Sequence, residues 1–158
     1  MKSPKKILIA NRGVIAIRAL RAAKELGYQV ASVYSTIDKD QKHLKLSDEA
    51  ICIGPAAAKD SYLNEAAIIS AAELASADAI YPGYGFLAEN SSFAEKCNQS
   101  GFKFVGPDPK VIGIMGDKIK AKELVESLGV PIVPGYTGRI ESKDCLLYTS
   151  PSPRDLWI

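Results

Sequence analysis

A short aromatic and glycine-rich run, YPGYGFLAEN at residues 81–90, has the residue types best suited to binding a ligand. Pro82 fixes one backbone angle, while Gly83 and Gly85 allow positive φ. Tyr84 stands between the two glycines, so its ring has little beside it to bury it. At the carboxyl end of a strand, such a loop is typical of a binding loop, because ligands of open parallel sheets lie outside those ends. The alternative is an ordinary tight turn whose aromatic rings cover the core.

A lysine at the start of a helix is the second feature with chemical meaning. Asp117 is the predicted N-cap of a helix that stops at Gly129, which places Lys118 in the first turn. An exposed cation there opposes the helix macrodipole and costs about 0.3–1 kcal/mol. A phosphate would reverse this sign, because the ammonium and the free backbone N–H groups could hold it together. The alternative is a solvated lysine on a charged helix.

The composition is that of a globular protein without a strong charge bias. The chain has 158 residues, enough for one domain with a real core, and 47% of them are hydrophobic. Twenty basic residues against 18 acidic ones leave a net charge of +2, which argues against nucleic acid or an anionic membrane as the partner. The sequence contains no pattern of a signal peptide or membrane span, so we expect a cytoplasmic protein.

Residue types that bind metals or form disulfides are few and scattered. Cys52, Cys97 and Cys145 are widely spaced and form no Cys-x-x-Cys, so we interpret them as buried or incidental thiols. His43 is the only histidine, and no cysteine lies near it in sequence. We therefore expect no metal site.

Apolar runs alternate with segments of helical periodicity along the chain. Residues 5–10 form a continuous apolar run that suits a strand buried on both faces, and residues 14–26 form an amphipathic helix. A polar, charged connection is predicted at 35–45. The other predicted strands lie at 29–34, 50–53, 78–81 and 102–105. This alternation predicts an α/β fold with a doubly wound parallel sheet.

Capping residues predict where the later helices begin. Asn64 is the predicted N-cap of the helix before the fourth strand. Ser92 and Glu95 have the spacing of a capping box for the next helix. Asp108 and Pro109 form an N-cap and first-residue pair for a short helix.

The first strand-to-helix turn lacks the dinucleotide-binding fingerprint. It contains only Asn11-Arg12-Gly13, whereas a nicotinamide-binding Rossmann domain needs Gly-x-Gly-x-x-Gly. Asp38 lies roughly where such a domain has the acidic residue that contacts the ribose. Without the glycines this function is disfavoured.

Seven motifs follow one another along the chain: KILIANRG, YSTIDKDQKHLKLSDEAICIGP, SYLN, YPGYGFLAEN, FVGP, MGDK and GVPIVPGY. In this order and at these intervals they resemble the amino-terminal part of biotin carboxylase. That component serves the biotin-dependent acetyl-CoA, propionyl-CoA and pyruvate carboxylases. The resemblance covers about residues 5–138.

The resemblance implies a fold, a reaction and partners. The fold is a Rossmann-like pre-ATP-grasp domain followed by an ATP-grasp domain. The reaction is that of an ATP-dependent ligase, which joins bicarbonate to N1 of biotin with MgATP through a carboxyphosphate intermediate. ATP, Mg²⁺ and biotin are therefore the implied cofactors. A biotin carboxyl carrier protein or domain, a carboxyltransferase and a second copy in a homodimer are the implied partners, and acetyl-CoA carboxylase is the carboxylase we expect.

The resemblance also implies roles for five residues. Lys118 in MGDK matches the lysine that contacts the nucleotide phosphates. Tyr84 and Gly85 match positions that approach the biotin or bicarbonate side of the active site. Arg21 and Glu25 match positions used in the subunit contact of the family. Each role suits the chemistry of its residue: a cation for phosphate, a ring and bare backbone for a ureido ring, and opposite charges for a symmetric interface.

The sequence departs from the family pattern at two positions and at its carboxyl-terminal end. Val14 stands where the family usually has glutamate, and Tyr81 where it usually has histidine. We expect a pre-ATP-grasp domain at 1–115, the truncated start of an ATP-grasp domain at 116–144, and an unrelated tail without structure at 145–158.

The truncation predicts an inactive chain. An ATP-grasp site needs a glycine-rich phosphate loop, carboxylates for Mg²⁺ and cations that stabilise carboxyphosphate. These would lie beyond residue 144, so we expect neither a catalytic residue nor a metal ligand here. Two alternatives remain: the amino-terminal domain of another ATP-grasp ligase, and a noncatalytic interaction module that uses the face of Arg18, Arg21 and Glu25.

Overall fold

The computed structural model describes residues 5–132, which contain a five-stranded parallel sheet. The strand order is β3-β2-β1-β4-β5, and all four neighbouring pairs are parallel. Strand β1 is central, because it pairs with β2 on one side and β4 on the other. The strands are β1 (Lys6–Ile9), β2 (Gln29–Ser35), β3 (Glu49–Gly54), β4 (Ala79–Tyr81) and β5 (Lys103–Phe104). The predicted α/β fold is thus confirmed.

Helices follow the strands in the alternation that parallel pairing requires. Short 3₁₀ turns occur at Thr36–Asp38, Ala58–Asp60 and Phe86–Glu89. The α-helices of the described part are α1 (Gly13–Glu25), α2 (Lys42–Leu46), α3 (Glu65–Leu74), α4 (Ser91–Gln99), α5 (Pro109–Met115) and α6 (Lys118–Ser127).

Two apolar cores lie on the two faces of the sheet, because successive side chains of a strand point to opposite faces. On one face, Ala16, Leu20 and Ala23 of α1 pack with Ile7, Ile9, Val30 and Ala79. On the other face, α3 and α4 pack with Leu8, Val33, Ile80 and Phe104. The continuous apolar run of β1 therefore serves both cores, as a central strand of a doubly wound sheet must.

Two local predictions were wrong. The connection at 35–45 is not merely polar, since it contains a 3₁₀ turn and α2, and it buries His43 completely. The predicted capping box of Ser92 and Glu95 does not form. Asn90 is the N-cap of α4 instead, and its side chain accepts a hydrogen bond from the N–H of Phe93 at 3.0 Å. A nearby Asn with the right backbone conformation therefore displaced the Ser/Glu pattern.

The other predicted caps form as expected. Asn64 accepts a hydrogen bond from the N–H of Ala67. Asp117 accepts from the N–H groups of Ile119 and Lys120. The first turns of α3 and α6 therefore have side-chain partners for backbone donors that no helical bond can satisfy.

The chain divides into two units, Met1–Gly113 and Ile114–Ile158. The predicted boundary after residue 115 lies close to this division, although its assignment to pre-ATP-grasp and ATP-grasp domains stays a prediction. The tail predicted at 145–158 lies outside the described residues, as does Cys145. No helix of residues 5–132 is both long enough and apolar enough to cross a membrane.

Candidate functional site

The candidate site lies at the carboxyl edge of the sheet, where the loops after β1 and β4 meet. These two strands are neighbours, and the N–H of Ala10 extends their ladder by donating to the carbonyl of Tyr81 at 2.8 Å. From β1 the chain crosses to β2 on one side, whereas β4 is followed by β5 on the other side. This reversal is the topological switch point at which ligands of open α/β sheets bind.

Asn11 holds the two loops together. Its side-chain Nδ2 donates to the carbonyl of Pro82 at 2.8 Å and to that of Tyr84 at 3.0 Å. Its Oδ1 accepts from the N–H of Arg12 at 2.8 Å. The side chain is fully buried, so each lost bond would leave a polar group without water as a substitute. Asn11 therefore fixes the backbone on both sides of Gly83.

The glycines of the loop are required by its geometry. Gly83 has φ +71°, and a Cβ there would lie 2.7 Å from Ile15 and 3.0 Å from the Asn11 side chain. Gly85 also has φ +71° and leads into Phe86, whose φ is +46°. Since a non-glycine residue in this region costs about 1–2 kcal/mol, packing must hold Phe86 in place.

That packing comes from Tyr62 and Arg12. The Tyr62 and Phe86 rings are stacked, with centroids 5.0 Å apart and an interplanar angle of 16°. The Arg12 guanidinium lies 5.2 Å from the Tyr62 ring centre and 5.5 Å from that of Phe86. A cation over two aromatic faces stabilises them by about 0.5–2 kcal/mol. The strained Phe86 is therefore fixed to the turn after β1 through Arg12.

The buried carboxylate of Asp38 contacts both Tyr62 and Arg12. Asp38 accepts hydrogen bonds from the hydroxyls of Ser35 at 2.7 Å and Tyr62 at 2.8 Å. It also accepts from Gln41 at 2.8 Å and pairs with the Arg12 guanidinium at 3.2 Å. Four partners leave Asp38 no room to bind ribose hydroxyls, so it is not available for the role that an acidic residue has in a nicotinamide site.

The electrostatics of the cluster keep its charges constant near neutral pH. Burial alone would raise the pKa of Asp38, but the hydrogen bonds from Ser35, Tyr62 and Arg12 outweigh it and hold that pKa below its usual value. Burial, together with the hydrogen bond to Asp38, raises the pKa of Tyr62 to about 12. Asp38 thus stays ionised and Tyr62 stays protonated. The cluster positions the loop and has no group suited to transferring a proton.

The loop presents one aromatic ring and bare backbone to solvent. Tyr84 is 70% exposed although its carbonyl is held by Asn11. Gly85 follows it with no atom near the position of a Cβ. A rigid backbone that carries an open ring is suited to contact a flat, partly polar ligand. Tyr84 and Gly85 thus lie in the loop at the carboxyl edge of the sheet, and their role towards biotin or bicarbonate stays a prediction.

Lys118 belongs to the second unit and begins α6. It is exposed in the first turn, as predicted. The free N–H groups expected beside it are partly taken, however, because Asp117 accepts from Ile119 at 3.0 Å and Lys120 at 3.2 Å. A phosphate at this helix start would therefore depend on the Lys118 ammonium more than on those two backbone donors.

Arg21 and Glu25 lie on the exposed side of α1, as predicted. They border a shallow depression that also includes Lys24 and Leu46. Lys24 is engaged elsewhere, because its ammonium pairs with Asp48 at 2.8 Å. No contact within residues 5–132 tests the predicted role of Arg21 and Glu25 in a subunit interface.

The sequence reasoning missed several residues that build the site. The sequence assigned no site role to Asn11, Arg12 or Tyr62, although they lie in the motifs KILIANRG and SYLN. A polar residue directly after a buried strand was the signal that could have identified Asn11. Within the described ranges, no three His, Cys, Asp or Glu side chains are grouped so that they could hold a metal ion.

Comparisons with known proteins agree with this geometry. Residues 3–112 match the family model described as biotin carboxylase, N-terminal domain. A biotin carboxylase of Pseudomonas aeruginosa is 59% identical over 133 residues, which are 84% of this chain and 30% of that protein. Biotin carboxylase 1 of Bacillus subtilis is 56% identical over 138 residues, 87% of this chain and 31% of that protein. The chain thus spans about three tenths of the length of these relatives.

Solved structures give the same result. Biotin carboxylase from Campylobacter jejuni, solved as a beta-gamma-ATP complex, has a TM-score of 0.87 at 50% identity over 93% of this chain and 33% of its own. The biotin carboxylase domain dimer of 2-oxoglutarate carboxylase from Hydrogenobacter thermophilus, solved with MgADP, ADP and bicarbonate, has a TM-score of 0.88 at 45% identity. That match covers 94% of this chain and 32% of the other. On its sequence and on its fold, the chain belongs to the biotin carboxylase N-terminal domain family.

Proposed function

We propose that this chain forms the amino-terminal part of a biotin carboxylase, an ATP-dependent ligase. The complete enzyme carboxylates biotin on a carrier protein or domain with MgATP and bicarbonate. The observation that carries this proposal is the loop after β4, which Asn11 and the Arg12 cluster hold rigidly at the switch point with the Tyr84 ring exposed. Rigid support is what a binding loop needs if its ligand is to be oriented for reaction.

Within that enzyme, the residues of this chain bind the substrates and position them for the reaction. Tyr84 and the Gly85 backbone contact the biotin or bicarbonate side of the active site. Lys118 contacts the nucleotide phosphates, and its ammonium suits a phosphate near a helix start. Biotin and MgATP supply the carboxyl acceptor and the activating phosphate. A biotin carboxylase from C. jejuni and a carboxylase domain from H. thermophilus were solved with nucleotide, and the latter also with bicarbonate, which supports this choice of substrates.

The finer assignments belong to the same proposal. Residues 1–115 are a pre-ATP-grasp domain, and an ATP-grasp domain starts at about residue 116. The carboxylase is acetyl-CoA carboxylase, which functions in fatty acid biosynthesis in the cytoplasm, with a carboxyltransferase as the second catalytic component. The 158-residue chain is inactive by itself, because it spans about three tenths of the curated relatives.

A hybrid enzyme tests the proposal. Residues 1–132 of this chain replace the matched region of the P. aeruginosa biotin carboxylase, and biotin-dependent ATP hydrolysis is measured with bicarbonate. We expect activity from the hybrid and none from the 158-residue chain. In the hybrid, Tyr84→Ala raises KM for biotin about fivefold, since the lost ring contact is worth about 1 kcal/mol. Tyr84→Phe keeps the ring and remains close to the unmodified hybrid.

The proposed role of Lys118 in nucleotide binding is tested with two lysines of α6. Lys118→Gln raises KM for ATP and leaves KM for biotin unchanged, because it removes a phosphate contact only. Lys120→Gln is the matched control, as it removes the same charge two residues further along α6 and changes neither constant. Equal effects of both substitutions, or an inactive hybrid that is correctly folded, would refute the proposed roles.

A further inference from the structure

Phe86 has a strained backbone within the candidate binding loop. Among residues 5–132, two positions other than glycine have positive φ, Ser76 at +50° and Phe86 at +46°. Ser76 directly follows the C-cap of α3, where a left-handed residue commonly ends a helix. Phe86 lies two residues after Tyr84 instead, and a bulky residue with positive φ is an outlier there. Such strain persists only where neighbouring groups hold it, and it is concentrated at functional sites.

Arg12 is the group placed to hold Phe86 in this conformation. Its guanidinium lies over both rings of the Tyr62–Phe86 stack, 5.2 Å and 5.5 Å from the two ring centres. The Tyr62 ring is itself fixed, because its hydroxyl accepts from the N–H of Ser35 at 3.2 Å and donates to Asp38 at 2.8 Å. Arg12 therefore connects the strained residue to a ring that cannot move.

The planar shape of the Arg12 side chain matters more here than its charge. The ion pair with Asp38 is partly open to water, since the Arg12 side chain is 41% exposed, and such pairs contribute little by themselves. A guanidinium is flat and weakly hydrated, so it can stack on aromatic faces. The ammonium of a lysine is a compact, strongly hydrated charge and cannot replace that contact.

The conformation of Phe86 determines whether the loop stays closed beside Tyr84. Gly85 has φ +71°, and its carbonyl accepts from the N–H of Ala88 at 2.9 Å, which closes the turn. If Phe86 relaxed to negative φ, this turn would open. The Tyr84 ring would then be held at one end of the loop only, by the bonds that Asn11 makes.

We propose that Arg12 is a positioning residue for biotin binding: by stacking on Phe86 it holds the left-handed turn that fixes the Tyr84 ring and the Gly85 backbone. This inference rests on the proposed function and adds to it a requirement for a guanidinium in the turn after β1. Nucleotide binding does not depend on Arg12, because Lys118 belongs to the second unit.

Two substitutions of Arg12 in the hybrid described above separate its shape from its charge. Arg12→Lys keeps the charge beside Asp38, and Arg12→Met keeps an unbranched side chain without charge. We expect each to raise KM for biotin at least about fivefold and to leave KM for ATP unchanged. Lys6→Met is the matched control, because it removes an ion pair with Glu49 at the opposite end of β1 and changes neither constant.

A double-mutant cycle separates positioning from direct contact with the ligand. Phe86→Gly removes the ring and accepts positive φ without strain. If Arg12 acts through Phe86, Arg12→Lys changes KM for biotin by less than about twofold in the Phe86→Gly background. A guanidinium that contacts the ligand itself would raise KM by the same factor in both backgrounds, and that result would overturn the proposal.

Amide hydrogen exchange in the 158-residue chain measures the loop without catalysis. The N–H of Ala88 reports the turn, because it donates to the carbonyl of Gly85. We expect Arg12→Lys to accelerate exchange at Ala88 at least about tenfold, while exchange in β1 stays the same, since only the loop opens. Lys6→Met leaves the exchange rate of Ala88 unchanged.

Unchanged exchange at Ala88 in the Arg12→Lys chain would overturn the inference, and so would an unchanged KM for biotin in an active hybrid. Failure of the proposed function is a separate outcome. A folded but inactive hybrid refutes that function together with the role of Arg12 in biotin binding, whereas faster exchange at Ala88 would still support Arg12 as the residue that holds the loop.

Discussion

Asn11 connects two loops that are 71 residues apart in sequence. Only a side-chain amide suits this position, because it donates to two carbonyls and accepts from a backbone N–H at once. An aspartate would bring a negative charge towards the carbonyls of Pro82 and Tyr84, and an aliphatic side chain would leave all three groups unpaired in the interior. At the residue scale, the candidate loop therefore depends on one amide in a different loop.

His43 gives a pH dependence that can be measured at the residue scale. Burial lowers its pKa below 6.5, despite the opposing effects of the Val33 carbonyl at 3.4 Å and the charge of Asp38. Above pH 6.5 the ring is neutral in both the folded and the unfolded chain. As the pH falls below 6.5, the unfolded chain takes up a proton first, so the free energy of unfolding falls until the pH reaches the folded pKa.

We predict that the free energy of unfolding of the native chain falls between pH 7.5 and pH 5.5, and that in the His43→Leu chain it falls much less. The slope in the native chain is at most about 1.4 kcal/mol per pH unit, because one proton is involved. His43 is the only histidine of the chain, so few other groups titrate in this window. Urea unfolding followed by circular dichroism at both pH values is the measurement. The same pH dependence in the native and His43→Leu chains would contradict the assignment.

At the scale of the element, α4 has two candidate N-caps: Asn90, which caps it in the structure, and Ser92, which the sequence pattern predicted. Asn90 accepts from the Phe93 N–H at 3.0 Å and donates to Glu65 at 2.9 Å. We predict that Asn90→Ala lowers the free energy of unfolding by about 1 kcal/mol, within the usual range for a lost N-cap. Ser92→Ala removes the predicted cap and changes the free energy of unfolding by less than about 0.5 kcal/mol.

The Asn64 cap provides the positive control for this comparison. Asn64→Ala removes one hydrogen bond, to Ala67 at 3.1 Å, and is expected to cost about as much as Asn90→Ala. Urea unfolding of the three variants gives the comparison. If Ser92→Ala proves as costly as Asn90→Ala, the helix begins at a different residue in solution.

Elements with a strong local signal could be predicted from the sequence. Ile7, Leu8 and Ile9 form an unbroken apolar run in β1, and α3 begins directly after its predicted N-cap Asn64, so both elements could be located from the sequence. The prediction for the α2 region was wrong because five residues are too few to show helical periodicity. The burial of His43 depends on its contact with strand β2, which no local pattern reveals. Tertiary contacts that no local pattern encodes therefore decided this element.

The candidate site was predictable only in part for the same reason. Local residue types revealed that Tyr84 and Gly85 form an open loop, because glycine and proline fix the backbone there. The cluster of Asp38, Tyr62 and Arg12 is assembled from three separate connections of the sheet. Its members become neighbours only when the strand order is known, so the sequence could place each of them but not their contacts.

At the scale of the whole molecule, the remaining question is how two copies would associate. A homodimer with twofold symmetry uses the same surface of both copies, so Arg21 of one copy can meet Glu25 of the other, and the pair occurs twice. Both side chains are exposed on α1. The biotin carboxylase domain from H. thermophilus was solved as a dimer, whereas the pairing of Arg21 with Glu25 in this chain stays a prediction.

We predict that Arg21→Glu weakens self-association of the hybrid at least about tenfold, or about 1.4 kcal/mol, because two attractive pairs become repulsive. The double variant Arg21→Glu, Glu25→Arg restores the pairs with reversed signs and recovers association, which loss of folding could not do. Lys59→Glu makes the same charge change at an exposed loop position and leaves association unchanged. Sedimentation velocity over a concentration series measures all three. Failure of the double variant to recover, with each variant folded, would place the subunit contact on another surface of the molecule.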